Sequence, residues 1–556
     1  MNSANKRRIA VIGAGCSGIV AVKTCLEYGQ EVICFEKQDE IGGLWYYSKS
    51  KGKDEGSCMQ STVINTSKEM MAFSDFPPPK HFPNFMHHTI LMQYFKMYCQ
   101  HFGIYKHIQF HTNVISIEKV ESYSVTKQWK VVTKQKGNTK TETFDAIMLC
   151  TGHHSVPNWP QIKGAGNFEG TILHSLHYKE PSGFENKRVA VVGIGNSGGD
   201  ISVELSRFAK QVFLVTRRGA WVIHRVMQFG YPLDVLFLFR FGSWLQDNTP
   251  WLVNAVVERY LNFRFDHQAF GLRPAHRVLE QHLCVNDDLP NRIANGSLVV
   301  KPDIDRITER GVKFVDGTEV EEIDTIILAT GYSIDLSIVQ GDILPVKDNH
   351  VAMYKYMYAP DLEHPETLGV IGLAQPAGAL LPIAEMQCRV FLDILTGGTK
   401  MPSRSEMYAD IERTRIRQSK RYYKTRRHTI QVDYIQFTDE LAAVIGTKPP
   451  PWYLHMLRDP ILAWHVCFGP AAPYIFRING PYQWQGARNA LLEIHQRVVT
   501  PWAAGRDPPA FAKSSSELIW RRWGMSAIQG TAFCFISGLA VTYWLVRLLF
   551  LVFINS

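Results

Sequence analysis

Two short glycine runs carry the most specific chemistry in this 556-residue chain: GAGCSG at Gly13 to Gly18 and GIGNSG at Gly193 to Gly198. The spacing Gly-x-Gly-x-x-Gly lets a backbone turn pass close to a pyrophosphate, whose charge is then held by the amides at the start of the following helix. A lone copy is weak evidence. Two copies, each set between an apolar β-branched run and a helix-forming run, imply two bound dinucleotides.

The residues beyond each run separate the two sites. Glu36 lies 18 residues after Gly18, where a carboxylate accepts hydrogen bonds from ribose hydroxyls and repels a 2′-phosphate, so the first site suits FAD or NAD. Thr216, followed by Arg217 and Arg218, lies 18 residues after Gly198. A hydroxyl and a guanidinium at that place welcome a 2′-phosphate, so the second site suits NADP. The plain alternative for Arg217 is a surface cation, and the matched spacing argues against it. A flavin together with NADPH implies hydride transfer, after which electrons pass to a disulfide, a partner protein or oxygen. The ten cysteines lie at 16, 25, 34, 58, 99, 150, 284, 388, 467 and 534, never closer than nine residues. No Cys-x-x-Cys pair serves redox or zinc chemistry, no metal is expected, and the compartment reads as reducing.

These residues need a strand, a turn and a helix to position them. Arg8 to Ile12 reads as a strand, Ile19 to Leu26 as a helix and Glu31 to Phe35 as a second strand. The order returns as Arg188 to Val192, the second turn, a helix running through Glu204 to Phe208, and the strand Val212 to Val215. FDAIMLCTGHH at Phe144 to His154 and IDTIILATGY at Ile323 to Tyr332 are apolar strands ending in Thr-Gly, which suits a chain crossing beside a nucleotide. Glycine turn and Thr-Gly alternate along the chain. The expected fold is therefore α/β, with two Rossmann-like dinucleotide-binding domains, the second inserted in the first. The first domain is discontinuous, 1–165 and 331–510; the second spans 166–330. Between Arg217 and about Ser297 the second domain pauses far longer than the roughly 2 to 6 residues usual in such connections, so 218–297 is read as a helical insertion. Its YPLDVLFLFRFGSWL, Tyr231 to Leu245, lines a substrate tunnel, presses on a membrane or forms an ordinary core.

The composition, 46% apolar and 12% aromatic, is that of a globular chain with large cores. The net charge of +9 comes from 60 basic and 51 acidic residues; the densest basic stretch, Arg413 to Arg427, faces anionic lipid or RNA or, on the plainer reading, is a solvated helix face, and no nucleic-acid partner is expected. Lys6, Arg7 and Arg8 before a short apolar run mimic a signal peptide, but a cleaved segment has no need of glycines at nucleotide-binding spacing. Asn65-Thr66-Ser67 and Asn295-Gly296-Ser297 match the glycosylation sequon and read as unmodified. Ala527 to Val546 is 20 residues without a charge, long enough to span a bilayer. With Arg521 and Arg522 before it, the positive-inside rule puts the body in the cytosol; the alternative is a helix lying in one leaflet with Arg547 at the headgroups. The expected layout is a linker at 511–526 and a C-terminal membrane helix, the anchor, at 527–554, with membrane lipid as a partner.

Further motifs carry a family resemblance. Phe168-x-Gly170-x-x-x-His174-x-x-x-Tyr178 matches the pattern FxGxxxHxxxY of the flavin-containing monooxygenases, whose Baeyer-Villiger relatives end it in Trp. EIGGLW at Glu40 to Trp45, NTSKEMMAFSDFP at Asn65 to Pro77, GIGNSGGDISVELS at Gly193 to Ser206, ATGY at Ala329 to Tyr332 and FGPAAPYIFRINGPYQWQGARNA at Phe468 to Ala490 are similar to animal microsomal members of the dimethylaniline-monooxygenase type. The resemblance runs from about residue 8 to 500, and the apolar C-terminus resembles the family's membrane tail. It implies an endoplasmic reticulum membrane location with the catalytic body on the cytosolic side.

The resemblance also implies a reaction: NADPH reduces FAD, oxygen adds to give a C4a-hydroperoxide, and retained NADP+ shields it until a soft nitrogen or sulfur nucleophile takes the distal oxygen. Carried over by motif, Gly13, Ala14, Gly15, Cys16, Ser17, Gly18, Glu36, Leu44, Trp45 and Thr66 would hold FAD. Gly193, Gly195, Asn196, Ser197, Gly198, Gly199 and Asp200, with Thr216 and Arg217, would hold NADP+. Asn65 would sit at the isoalloxazine as the catalytic residue, donating to one oxygen and accepting from the NADP ribose or the peroxide proton without titrating. His174 and Tyr178 are read as buried residues of the domain linker. Cys16 and Gly199 depart from the residues usual in the family, and both are small enough to fit. The expected partners are O2 and small lipophilic amines or sulfides, with homo-oligomer formation left open. Two rival functions are Baeyer-Villiger oxidation of ketones, against which Tyr178 counts, and an NADPH oxidase or flavin reductase that releases hydrogen peroxide or passes electrons to a partner.

Overall fold

The computed structural model describes residues 6–48, 56–423, 429–449, 451 and 458–503. Two five-stranded parallel sheets dominate it. The first runs in the order Leu368–Val370, Ala146–Leu149, Arg8–Ile12, Glu31–Phe35, Ile108–Gln109. The second runs Leu298–Lys301, Gln211–Val215, Arg188–Val192, Thr325–Leu328, Thr171–His174. Both central strands are near-continuous apolar runs, as burial on two faces demands: Ile9, Ala10 and Val11 are fully buried, and so are Val189, Ala190 and Val191.

The two glycine turns sit in equivalent places. Ile12 stands opposite Phe35 and Val192 opposite Val215, so each turn leaves its sheet level with the end of the neighbouring strand, where Glu36 and Thr216 follow. The helices after the turns are Cys16–Glu27 and Asn196–Leu205. The second ends three residues short of the expected Phe208, because the Ser206 hydroxyl donates to the Val203 carbonyl at 2.7 Å and the amides of Arg207 and Phe208 bond three residues back.

All five strands of the second sheet lie in sequence between Leu149 and Leu368 of the first. The chain passages between the sheets run side by side: Tyr332 pairs with Pro157 and Ser333 with Val156, antiparallel. Thr330 adds a hydroxyl bond to the Asn158 carbonyl at 2.6 Å, and the Asn158 amide donates to Gly331 at 2.9 Å.

Between Gln211–Val215 and Leu298–Lys301 the described residues form four α-helices, Leu233–Phe237, Arg240–Asn248, Pro250–Arg264 and Leu289–Ala294, and a short parallel pair, Val222–Ile223 with Cys284–Val285. Trp221, Ile223, Leu261 and Val278 give this insertion a small core of its own. The described part of the basic stretch begins on the helix Arg404–Arg421, where Arg417 pairs with Glu440 and Arg421 with Asp433, each at 2.7 Å; 424–427 lie outside the described residues. Among the described residues no helix is long and apolar enough to cross a membrane. The expected linker and anchor, 511–554, lie outside the described residues.

Candidate functional site

The first and third glycines of each turn are required by the turn itself. Gly13 and Gly193 have φ of +99° and +110°, and a Cβ on Gly18 or Gly198 would lie 1.8 Å from the carbonyl oxygen of Gly13 or Gly193. The middle glycines face outward. A Cβ on Gly195 meets no protein atom within 4 Å, and one on Gly15 meets only Gly43 of the GGLW turn, at 3.7 Å. Gly15 and Gly195 are also the residues before their helices, and neither helix start is capped by a side chain, so its first amides remain donors for an anion.

Glu36 is buried at the end of its strand. Its Oε2 accepts from the Ala14 amide at 2.6 Å and its Oε1 from the Gln38 amide at 2.9 Å. Each oxygen keeps a lone pair for a ribose hydroxyl. The carboxylate therefore both braces the first turn and faces it, an arrangement that fits the adenosine half of FAD.

A cleft of about 1690 Å³ connects the rest. Leu44, Trp45 and Asn65 line one part of it, and Gly193, Gly195, Asn196, Ser197, Asp200, Thr216 and Arg217 another. Gly13, Ala14, Gly15, Cys16, Ser17, Gly18 and Glu36 are not on its wall; they reach it through the close approach of Gly15 to Gly43, next to Leu44. Thr66, Gly198 and Gly199 are also off the wall. Gly199 has a packing reason: a Cβ there would sit 3.1 Å from Cys284 Sγ of the insertion. The Asn196 side chain is likewise committed to the insertion, accepting from the Val285 amide at 2.9 Å.

The two arginines after Thr216 have different tasks. Arg218 lies over the Tyr423 ring at 4.7 Å, whereas no described residue bonds the exposed Arg217 guanidinium. The buried Thr216 hydroxyl accepts from the Gly219 amide at 3.0 Å and so fixes the turn that presents Arg217 to the cleft. Asp200, on the second helix, accepts from Asn286 Nδ2 at 2.9 Å, and burial pushes its carboxyl up to about 6 against the opposing pull of Arg225.

The loop carrying Asn65 is held on several sides. Asn65 Oδ1 accepts from Arg225 Nη2 at 2.7 Å and Nε at 3.1 Å. The next amide but one, that of Ser67, donates to the buried Asp234 carboxylate at 2.6 Å. Lys68 Nζ donates to the carbonyls of Lys80 and Phe82 at 2.6 and 2.7 Å, and burial lowers its ammonium to about 8. Glu69 accepts from Arg497 at 2.9 Å and from the Tyr474 hydroxyl at 2.8 Å. Both bonds of the Arg225 fork fall on Oδ1, while no described residue bonds Asn65 Nδ2.

Arg225 and Asp234 were not legible as site residues, because they come from the insertion, 160 and 167 positions away in sequence from the groups they hold. His174 and Tyr178 are off the cleft wall. His174 Nε2 lies 3.1 Å from the Gly331 carbonyl and its Nδ1 accepts from the Leu176 amide, and burial holds the ring down to about 4, hence neutral. The Tyr178 hydroxyl donates to Glu204 at 2.7 Å and is pushed up by burial and by that carboxylate.

Known proteins share both the sequence and the fold. The family described as flavin-binding monooxygenase-like matches residues 6–535. Flavin-containing monooxygenase 5 of Cavia porcellus is 47% identical over 499 residues, which cover 89% of this chain and 93% of that protein. The structure of S-allyl-L-cysteine S-oxygenase from Allium sativum is similar with a TM-score of 0.61 at 22% identity, covering 83% of this chain and 95% of that one. An open structure of cyclohexanone monooxygenase gives 0.57 at 16% identity, covering 80% and 98%.

Proposed function

This chain belongs to the flavin-binding monooxygenase-like family, and from that premise we propose that it uses FAD, NADPH and O2 to oxygenate nucleophilic nitrogen or sulfur atoms of small lipophilic compounds. The observation that carries the reading is the shared cleft, in which the second glycine turn and Arg217 face the same space as Leu44, Trp45 and Asn65. When bound, the flavin supplies hydride acceptance from NADPH and activation of O2, which provides the oxygen atom for the substrate.

The chain's own residues bind, orient and exclude. The amides at the start of Cys16–Glu27 and the Glu36 carboxylate hold the pyrophosphate and ribose of FAD. The amides at the start of Asn196–Leu205 and the Arg217 guanidinium hold the pyrophosphate and 2′-phosphate of NADPH. Leu44 and Trp45 supply apolar wall beside the reacting end, and Asn65 offers a fixed N–H donor there. An amide suits that place because it donates without changing charge as the reaction proceeds.

Attachment to the endoplasmic reticulum membrane through 527–554, with the body cytosolic, is part of the proposal. It is supported by the uncharged 20 residues from Ala527 to Val546 and by Arg521 and Arg522 before them. Protease protection in sealed microsomes, with tags at each end, tests it.

One observation favours Baeyer-Villiger oxidation of ketones as a second reading. Tyr178, whose replacement of Trp argues against that chemistry, does not line the cleft and so puts no side chain on a substrate. Product analysis with a tertiary amine, a thioether and a ketone in parallel decides between them. N-oxide and S-oxide as the main products support the first reading, ester from the ketone alone supports the second, and hydrogen peroxide without organic product contradicts both.

A further inference from the structure

Arg225 stands where three parts of the molecule meet. Asp287, also in the insertion, fixes it at two points, accepting from its backbone amide at 2.9 Å and from Nη1 at 2.7 Å. The remaining edge of the guanidinium, Nε and Nη2, forks onto Oδ1 of Asn65, while Nη2 lies 3.8 Å from Asp200 on the second nucleotide helix. Nine positions further along, Asp234 takes the Ser67 amide at 2.6 Å, and its other oxygen accepts from the Val235 amide at 2.9 Å. One loop is thus gripped twice from the same insertion, at its side chain and at its backbone.

We propose that Arg225 and Asp234 are positioning residues through which the 218–297 insertion sets the orientation of the Asn65 amide. A guanidinium has five donors and no acceptor, so it dictates which end of an amide faces it. With both bonds landing on Oδ1, the amide cannot rotate to present its oxygen to the cleft without leaving a charged donor pair unsatisfied, which is costly where the Arg225 side chain is only 12% exposed. Asp287 is the backstop that keeps the fork pointing at the loop, and Asp234 prevents the loop from sliding along it. Asp200 adds a link to the second nucleotide helix, so that the helix, the insertion and Asn65 share one charged junction.

The proposal rests on the reading that Asn65 acts on the reacting atoms, and the test separates the two. Arg225→Lys keeps the charge and loses the fork; Asp234→Ala removes the acceptor for Ser67, and Asp234→Asn keeps a weaker one. Amide hydrogen exchange over residues 64–68, measured on purified holoenzyme, is expected to quicken about ten- to a hundredfold in Arg225→Lys and Asp234→Ala, and less in Asp234→Asn. Product formed per NADPH consumed is expected to fall about tenfold in Arg225→Lys with flavin reduction by NADPH kept within about twofold, and Asn65→Ala should leave Arg225→Lys nothing further to remove. Unchanged exchange in both Arg225→Lys and Asp234→Ala, or losses from Asn65→Ala and Arg225→Lys that add in full, overturns the proposal. Faster exchange with Asn65→Ala still fully coupled supports the clamp and overturns the catalytic reading of Asn65 instead.

Discussion

Arg225 donates Nη2 and Nε to the single oxygen Oδ1 of Asn65, at 2.7 and 3.1 Å. The bond pair decides what Asn65→Asp does. An aspartate keeps the Arg225 partner as an ion pair, so the loop stays in place, but the cleft loses its Nδ2 donor and gains a second carboxylate oxygen. Flavin reduction by NADPH should stay within about twofold, while product per NADPH falls by about tenfold or more and hydrogen peroxide rises, since one lost donor to a developing anion is worth about 2.7 to 4 kcal/mol at most. Stopped-flow reduction and product stoichiometry measure the two parts. Wild-type coupling in the variant would remove Asn65 from the chemistry.

Arg217 and Arg218 are adjacent and should behave differently. Arg217→Ala removes a charge-assisted phosphate contact worth about 1.5 to 3 kcal/mol, which raises KM for NADPH roughly ten- to a hundredfold and leaves NADH kinetics nearly unchanged. Arg218→Ala, which loses its stacking on Tyr423, should alter KM for NADPH by less than about threefold. Equal losses with NADPH and NADH in the Arg217 variant would assign that residue to the fold.

The middle and last glycines of the second turn make a sharper contrast. An alanine Cβ at 195 enters open space, so Gly195→Ala should melt within about a degree of wild type while losing NADP+ affinity, because the Cβ occupies the path of the pyrophosphate. An alanine Cβ at 198 would lie 1.8 Å from the Gly193 carbonyl, so Gly198→Ala should lower Tm by several degrees and weaken the same site. Calorimetry of NADP+ binding alongside thermal melts reads both. Full NADP+ affinity in Gly195→Ala would move the dinucleotide away from this turn.

Burial raises the carboxyl of Asp234 to about 6. A carboxyl that holds its proton more tightly folded than unfolded adds stability that is fully present below its ordinary range near 4 and is lost as pH rises through about 6. Asp234→Asn removes that term, so the difference in Tm between wild type and variant should shift in the variant's favour as pH rises from about 4 to about 6.5. A difference independent of pH across that window would show that Asp234 does not titrate there.

The parts of the site legible in the sequence are those whose cause is local. The two glycine turns, Glu36 and Arg217 are specified by spacing within one strand-turn-helix unit, and the structure puts each beside a turn or on the cleft. The clamp on Asn65 has no such signature. Arg225 and Asp234 meet the loop only after the insertion has folded back, and nothing in the 160 intervening positions marks them. The same holds for Asn196, whose amide oxygen is spent on the Val285 backbone, and for the second helix, whose end is set by one serine hydroxyl. Family resemblance supplied Leu44, Trp45 and Asn65 where residue types alone were silent, yet it did not show which end of the Asn65 amide is free.

Isotope labelling is the most direct test of the proposal that this chain transfers one oxygen atom from O2 to a soft nucleophile at the expense of NADPH. A thioether is incubated with the full-length protein, FAD, NADPH and 18O2 in ordinary water, and the sulfoxide is analysed by mass spectrometry while NADPH and O2 consumption are followed. One 18O per sulfoxide is expected, with one NADPH and one O2 consumed for each. Sulfoxide carrying oxygen from water, or NADPH oxidation that yields only hydrogen peroxide while the thioether is recovered intact, would contradict it.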